Sequence, residues 1–552
     1  MPAPRLLPAL ALLLTASAAI RGEETALPIR YRLSEPGRVS LAVYDATGHM
    51  VRPMLYGQPH EPGEYTLTWD GLDRYGDPQP PGKYEWRLLR TPGFSREFLV
   101  NVGINTTWSP FDVWPGNHFG PNVLMVDEER ALYVGSVSSE GPPSLLKMSL
   151  DGSRKHWDTG TWGLGDGLGG LARIGNSLFL EMGATLEIRR ADNGNHFWGV
   201  DKLRRFAEQR IPFADLFHAG DSRQAQDGPV PNFAGGRDFL VVTYHNHDEV
   251  RFLWPMDDKI ERERTVTVPK PGAVTVSPEG QVFVVSGEEI VLVDRETGDV
   301  ATVLREVPQP GKIAYDPVFK DLLVASARRC IRRYHLADGQ LVAVYGRPEG
   351  RKYGVFNPVD FDDILDIAAD HKGGFVTVEQ YPRRVAHFRG REQHELVNQW
   401  IGGLQWGSLA AIDPADPTVV YLQVDPKHLG RGNIDYEAKT WNLTHVYEMI
   451  DHSSWNVGKE RHRDILPIGG EQSFWEVRHV SGQTFLVNRG GGSAEGSVTV
   501  LRVDDIDNRL LPVAHLGGLH PTLDSQKPPN WWVEALKRKW ARNPKGAQLT
   551  GT

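Results

Sequence analysis

In the first hundred positions of the chain, apolar residues alternate with polar ones: Val39, Leu41 and Val43, then Tyr65, Leu67 and Trp69, then Tyr84, Trp86 and Leu88. A period of two places each set on one face of a β-strand. Residues that turn a chain sharply stand between the runs: Asp45-Ala46-Thr47-Gly48, Asp70-Gly71 followed by Asp73 and Gly76, and Pro80-Pro81-Gly82. Two short antiparallel sheets packed face to face are expected over residues 23–103.

A different pattern takes over from about residue 105. An apolar strand ending in a polar turn leads into a second apolar strand and then a hairpin, and the unit recurs. Val123 to Asp127 precedes Ala131 to Val134, and Ala273 to Pro278 precedes Gln281 to Val285. Ile313 to Asp316 precedes Leu322 to Ala325, Ile367 to Asp370 precedes Gly374 to Val378, and Ala410 to Asp413 precedes Val419 to Leu422. Weaker units surround Leu171, Phe239 and Trp475. Third and fourth strands are legible too, as in Glu289 to Asp294 and the strand after the Thr297-Gly298-Asp299 turn. Start-to-start spacings run from about 40 to about 54 residues, the period of a four-stranded propeller blade. An all-β chain is expected, with the small sandwich followed by a β-propeller over 105–525, seven blades within a range of six to eight.

Composition supports that fold class, because 58 Gly and 39 Pro punctuate short apolar runs while long helical periodicity is scarce. A net charge of −9 argues against nucleic acid as the partner, since phosphate binding calls for a basic face. Cys330 is the one cysteine and lies in a strand-like run, so no internal disulfide and no cysteine-based zinc or haem site is expected. Arg5, the apolar run Leu6 to Leu14 and Ala16-Ser17-Ala18 read as a signal peptide over 1–19. No later run has the roughly 20 apolar residues a transmembrane helix needs. A secreted or periplasmic protein is therefore expected. Residues 526–552 form a basic tail with Trp531, Trp532 and Trp540, expected as a helix that caps the propeller or contacts a partner.

Two family resemblances add to this. Pro36-Gly37-Arg38-Val39-Ser40-Leu41, Tyr44 to Gly48, Trp69-Asp70-Gly71, Asp73, Gly76 and Pro81-Gly82-Lys83-Tyr84 resemble the Ig-like domain of flagellar hook-capping proteins. The resemblance implies a sandwich with Trp69 in its core and the Asp and Gly residues at its turns. It implies a spacer or docking module and no catalytic residue. Gly346 to Arg351, Asn357-Pro358, Asp370, Gly373, Val378-Glu379 and Arg383 to Phe388, with Tyr244 to Phe252 as a second echo, resemble the NHL repeat of propellers.

Candidate chemistry is sparse. His245 and His247 flank Asn246 and could face one side of a strand as metal ligands, or sit in a polar hairpin. Asp360, Asp362, Asp363 and Asp366 crowd a blade entry near Glu379, where a hard cation such as calcium could bind. Alternatively Arg347, Arg351 and Lys352 could neutralise them as a salt-bridged loop. Trp157 and Trp162 beside the Gly163–Gly170 run suit either a sugar face or the core between blades. No nucleophile elbow, zinc-protease helix or dinucleotide fingerprint is present, and Gly490 to Ser493 reads as a loop. The expected ligand site comprises Arg347, Arg351, Asp362, Asp363, Glu379, His245 and His247. No cofactor is expected unless a divalent metal such as calcium binds there. The expected function is an exported, non-enzymatic binding or scaffold protein whose propeller face holds a polysaccharide or protein. The alternative is a metal-dependent propeller enzyme of lactonase or lyase type.

Overall fold

The computed structural model describes residues 15–19, 26–94, 97–106, 115, 120–136, 143–159, 168–182, 185–195, 210–212, 232–256, 259–402, 410–425, 428–448, 474–489 and 497–517. Trp162, the loop at Gly490 to Ser493, the basic tail and residues 1–14 lie outside them. The chain divides into two compact units, Met1–Phe98 and Leu99–Thr552.

The first unit is a sandwich. Leu27–Leu33 pairs with Gly63–Trp69, and a four-stranded sheet is built from Thr15–Ala19, Lys83–Thr91, Gly37–Tyr44 and Met50–His60 in that order. Val39, Leu41 and Val43 are buried together with Tyr84 and Leu88 of the neighbouring strand and with Ile29 and Tyr31 of the other sheet. Trp69 is only 2% exposed. Its indole Nε1 donates to Leu72 O at 2.8 Å, and its ring meets the Tyr84 edge at 4.9 Å between centroids. The turns are fixed by aspartates that accept from backbone N–H groups two and four residues on. Asp45 takes Thr47 N and His49 N, and Asp73 takes Tyr75 N and Asp77 N. The segment expected as the signal-peptidase site is placed here as the edge strand Thr15–Ala19, so cleavage near Ala19 would take most of that strand with it.

In the second unit, six four-stranded antiparallel sheets follow one another, each made of consecutive strands. Their first strands are Pro121–Val126, Gly170–Ile174, Asn232–Gly235, Pro271–Val276, Pro310–Asp316 and Ile364–Ala369. Each touches the next, and the sixth touches the first, so the sheets close a ring, called here blades one to six. Apolar side chains of each blade pack on the neighbouring blade. Phe283, Tyr315 and Val324 join blades four and five, for example, and Ile331, Phe361 and Phe388 join five and six.

Among the described residues, six of the eight repeat units noted in the sequence are separate four-stranded sheets, and these six make the ring. Seven blades were expected. The ring is already closed where blade one meets blade six, and the last two units leave it. Ala410–Ile412 to Thr440–Glu448 and Phe474–Val480 to Arg509–Gly517 are two antiparallel halves of one larger sheet, joined where Glu448 pairs in parallel with Arg509, and Tyr421, Leu429, Tyr447, Val477, Leu486 and Leu501 share one apolar cluster between them. The last strand of this ring is Glu395–Ile401. Val100 and Val102, at the start of the second unit, pack with Trp441 and Val420 of these off-ring strands.

Polar turns between first and second strands explain the aspartates seen in the repeat. Asp127, Asp316, Asp370 and Asp413 are all buried. Asp127 takes Ala131 N, Asp316 takes Val318 N, Asp370 takes Lys372 N and Gly374 N, and Asp413 takes Ala415 N. A buried carboxylate also needs a cation or strong donor. Arg173 serves Asp127 at 2.7 Å, Arg333 serves Asp316 at 2.6 Å, His387 serves Asp370 at 3.0 Å and His479 serves Asp413 at 2.7 Å. Burial alone would raise Asp370. The bonds from His387 and the two backbone N–H groups outweigh it and hold this carboxyl below the ordinary range.

Candidate functional site

The ring encloses a central channel of about 590 Å³, to which the first strand of every blade contributes. Each of these strands pairs on one side only, so its second edge of N–H and C=O groups faces the axis. A channel walled by such edges is polar even where its side chains are small. Several edge groups are capped by a side chain from another blade. Asp366 Oδ2 of blade six accepts Leu124 N of blade one at 3.0 Å, while its Oδ1 accepts Ile367 N at 3.0 Å. Thr275 Oγ1 of blade four accepts Tyr315 N of blade five at 3.3 Å.

Lys312 of blade five donates to Asn232 Oδ1 of blade three at 2.9 Å. Blade four stands between these two, so the lysine side chain passes in front of the first strand of blade four. Lys312, Asn232 and Asp366 all lie in the first half of their strands. Asp127, Arg173, Arg237, Ser277 and His371 gather where the strands end, and Met125, Ala234 and Ala368 line the wall between. The channel thus has a polar group of residues at each end and a less polar belt between them.

None of the seven residues picked from sequence lines this channel. Glu379 ends the second strand of blade six, where it pairs with Ile364. It is fully buried between two guanidinium groups, Arg351 at 2.9 Å and Arg384 at 2.5 Å. Its Oε2 also accepts Asp362 N at 3.1 Å. Burial lowers the pKa of Arg384 to about 10 against the pull of Glu379 in the other direction. Arg347 pairs with Asp360 at 3.0 Å and Arg328 with Asp363 at 2.7 Å. Burial raises Asp362, against the pull of Arg351 and Arg329. The acidic residues crowded in sequence are thus divided among separate basic partners, and Asp366 is turned the other way, into the channel.

His245 and His247 form a short 3-10 turn between the second and third strands of blade three. That places them three blades from Glu379, across the ring. Among the described residues no group of three or more His, Cys, Asp or Glu side chains converges as metal ligands. Trp157 is buried, with its Nε1 on Ala191 O at 3.1 Å and its ring against Tyr133, a packing role between blades one and two. Cys330 is buried, and burial raises its thiol pKa.

The Arg351–Glu379–Arg384 cluster gives a direct test of structural against ligand-binding roles. Glu379→Gln keeps the shape but removes the charge between two buried guanidinium groups. The expected cost is about 2 to 3 kcal/mol, in the range for lost hydrogen bonds to charged groups. Urea unfolding of the full chain measures it; a loss near zero would leave the glutamate free for a ligand role.

Channel residues were missed in the sequence because Lys312, Asn232 and Thr275 are single polar residues in apolar strands, without a local motif. The one available signal was position: each lies in a first strand of a repeat unit, the strand that faces a propeller axis.

Residues 17–91 match the family model of the FlgD Ig-like domain. No curated protein sequence matches the chain. Among solved structures, a streptogramin B lyase is 12% identical, with 60% of this chain and 96% of that one covered and a TM-score of 0.36. Virginiamycin B lyase from Staphylococcus aureus is 10% identical, with the same coverage and a TM-score of 0.33. A nidogen/laminin complex is 16% identical, covering 41% of this chain and 79% of that one, with a TM-score of 0.29.

Proposed function

We propose that this is an exported, non-enzymatic binding protein in which the Ig-like module spaces or docks a propeller whose central channel holds a polar ligand. The observation that supports the channel most is its wall: the outer edges of six first strands, in part capped by side chains, with Lys312, Asn232, Thr275 and Asp366 on them, around a volume of about 590 Å³. Pockets for small molecules usually fall between about 300 and 1,000 Å³, with a few placed polar groups. Glycans offer many hydroxyls to such edges, which favours a polysaccharide end or a sugar over a protein. Export rests on the leader-like residues 1–19, and among the described residues no helix is long and apolar enough to cross a membrane.

The enzyme alternative, a metal-dependent lactonase or lyase, needs ligands brought together. Of its proposed members, His245 and His247 share one turn of blade three while Glu379 stands on blade six, across the ring.

Hydrogen exchange read by mass spectrometry tests the channel. Edge N–H groups on the first strands should exchange readily in the free protein and slow when a glycan mixture that binds the full chain is added. Protection is expected in peptides covering 121–128, 271–278, 310–317 and 364–371. Protection confined to 245–248 or 347–363 would move the site to the other candidates and overturn the channel reading.

A further inference from the structure

We propose that removal of the leader opens the Lys83–Thr91 edge of the sandwich and that a second copy of this chain pairs there, strand to strand; this rests on residues 1–19 being a leader. In the larger sheet of the sandwich, Lys83–Thr91 stands between Thr15–Ala19 and Gly37–Tyr44. Thr15 lies opposite Arg87 and Ala19 opposite Lys83, in unbroken antiparallel register. Cleavage near Ala19 takes most of that neighbour away, and the backbone N–H and C=O groups directed at it lose their partners. An edge of this kind is a template for another strand.

The two edges of this sheet are built differently. Met50–His60, at the far edge, carries Pro53 and Pro59 and breaks register with its neighbour at three places. Prolines and bulges keep further strands from adding to an edge. Lys83–Thr91 has no proline, and its register with Gly37–Tyr44 runs without a break. Its side chains suit a second copy. Tyr84 and Leu88 belong to the sandwich core and Trp86 packs against it, while Glu85 and Arg87 alternate with them and pair on the same strand at 3.2 Å. Two copies meeting antiparallel about a two-fold axis at Trp86 set Glu85 of each opposite Arg87 of the other, twice over. Centring on Glu85 or on Arg87 would oppose like charges instead. The three strands left in each sheet then join into one sheet of six.

Sedimentation of the full chain and of residues 19–552 over a dilution series reads the association directly. The full chain is expected to stay monomeric and residues 19–552 to dimerise. Glu85→Arg in residues 19–552 opposes arginines at both places and should weaken the dimer about tenfold or more, by the scale of cross-strand charge pairs counted twice. Adding Arg87→Glu restores opposite charges and should return most of the affinity. If Glu85→Arg does not fold, Arg87→Glu alone supplies the same comparison.

Residues 19–552 that remain monomeric throughout, or a dimer that Glu85→Arg leaves intact, overturn the pairing. A full chain that dimerises as well as residues 19–552 overturns the part given to the leader. N-terminal sequencing of the exported protein tests the leader separately. A start near Ala19 is expected, and a start upstream of Thr15 overturns the leader reading and the opening of the edge, while the dilution series still decides the pairing.

Discussion

Arg333→Met is expected to destabilise the propeller by about 3 to 5 kcal/mol, the usual cost of removing one partner from a buried ion pair. The Arg333, Asp316 and Asp321 side chains have no exposed surface at all. The guanidinium bonds Asp316 at 2.6 Å, Asp321 at 3.2 Å and Gly373 O of blade six at 2.9 Å. Methionine fills much of the space but leaves two carboxylates in a dry interface. Asp321 would retain Arg391, which reaches it from blade six at 2.8 and 3.0 Å, whereas Asp316 would keep the Val318 N–H. Asp316→Asn in the Arg333→Met background should therefore recover a good part of the loss. The urea midpoint of the full chain measures both steps. A single-variant loss under about 1 kcal/mol would mean that water reaches this interface.

Trp69→Ala should unfold the Ig-like sandwich at a cost of about 3 to 5 kcal/mol, the range for truncating a buried tryptophan. The substitution removes the largest apolar group of that core, the Tyr84 edge contact and the bond that pins Leu72 O at the turn. The unit has its own core and its own boundary at Phe98, so residues 15–98 expressed alone should show one cooperative transition that the substitution lowers. A near-neutral effect in that fragment would place Trp69 outside the core. No transition in the unaltered fragment would mean that the sandwich depends on the rest of the chain.

How much of this was readable from sequence depended on whether the signal was local. Val39, Leu41 and Val43 declare their strand because every second residue is apolar, and all three are buried. Asp127, Asp316 and Asp370 repeat because each caps a turn within two to four residues of itself. Blade closure is not local. Nothing near Ala410 tells whether its sheet continues the ring, since that depends on whether Leu124 N and Asp366, some 240 positions apart, have already met. The acidic segment misled for a related reason. Four aspartates within seven positions look like one site, yet the loop turns Asp360 to Arg347, Asp363 to Arg328 and Asp366 to the axis. Arg351 pairs at 2.9 Å with Glu379, 28 positions away, rather than with one of the aspartates beside it, because a buried carboxylate needs a cation wherever the fold places it.

The chain's way into the ring has a mechanical consequence. Asn105 lies against the outermost strand of blade six: its N–H bonds Ile401 O, its Oδ1 takes Ile401 N and its Nδ2 reaches Gln399 O, while Ile104 bridges Gly402. Trp441 Nε1 and Thr440 Oγ1 of the off-ring sheets hold the carbonyls of Asn101 and Asn105. The strand that arrives is thus tied to the strand that leaves, before blade one has begun. Tension entering at Leu99 is carried by this clamp, in shear across several hydrogen bonds, into blade six and the off-ring sheets. The contacts of Leu124 with Asp366 and of His371 with Val126 O, which hold blade one against blade six, lie outside this clamp. Pulling on the chain at Leu99 should therefore be met first by this clamp, ahead of the contacts that close the ring.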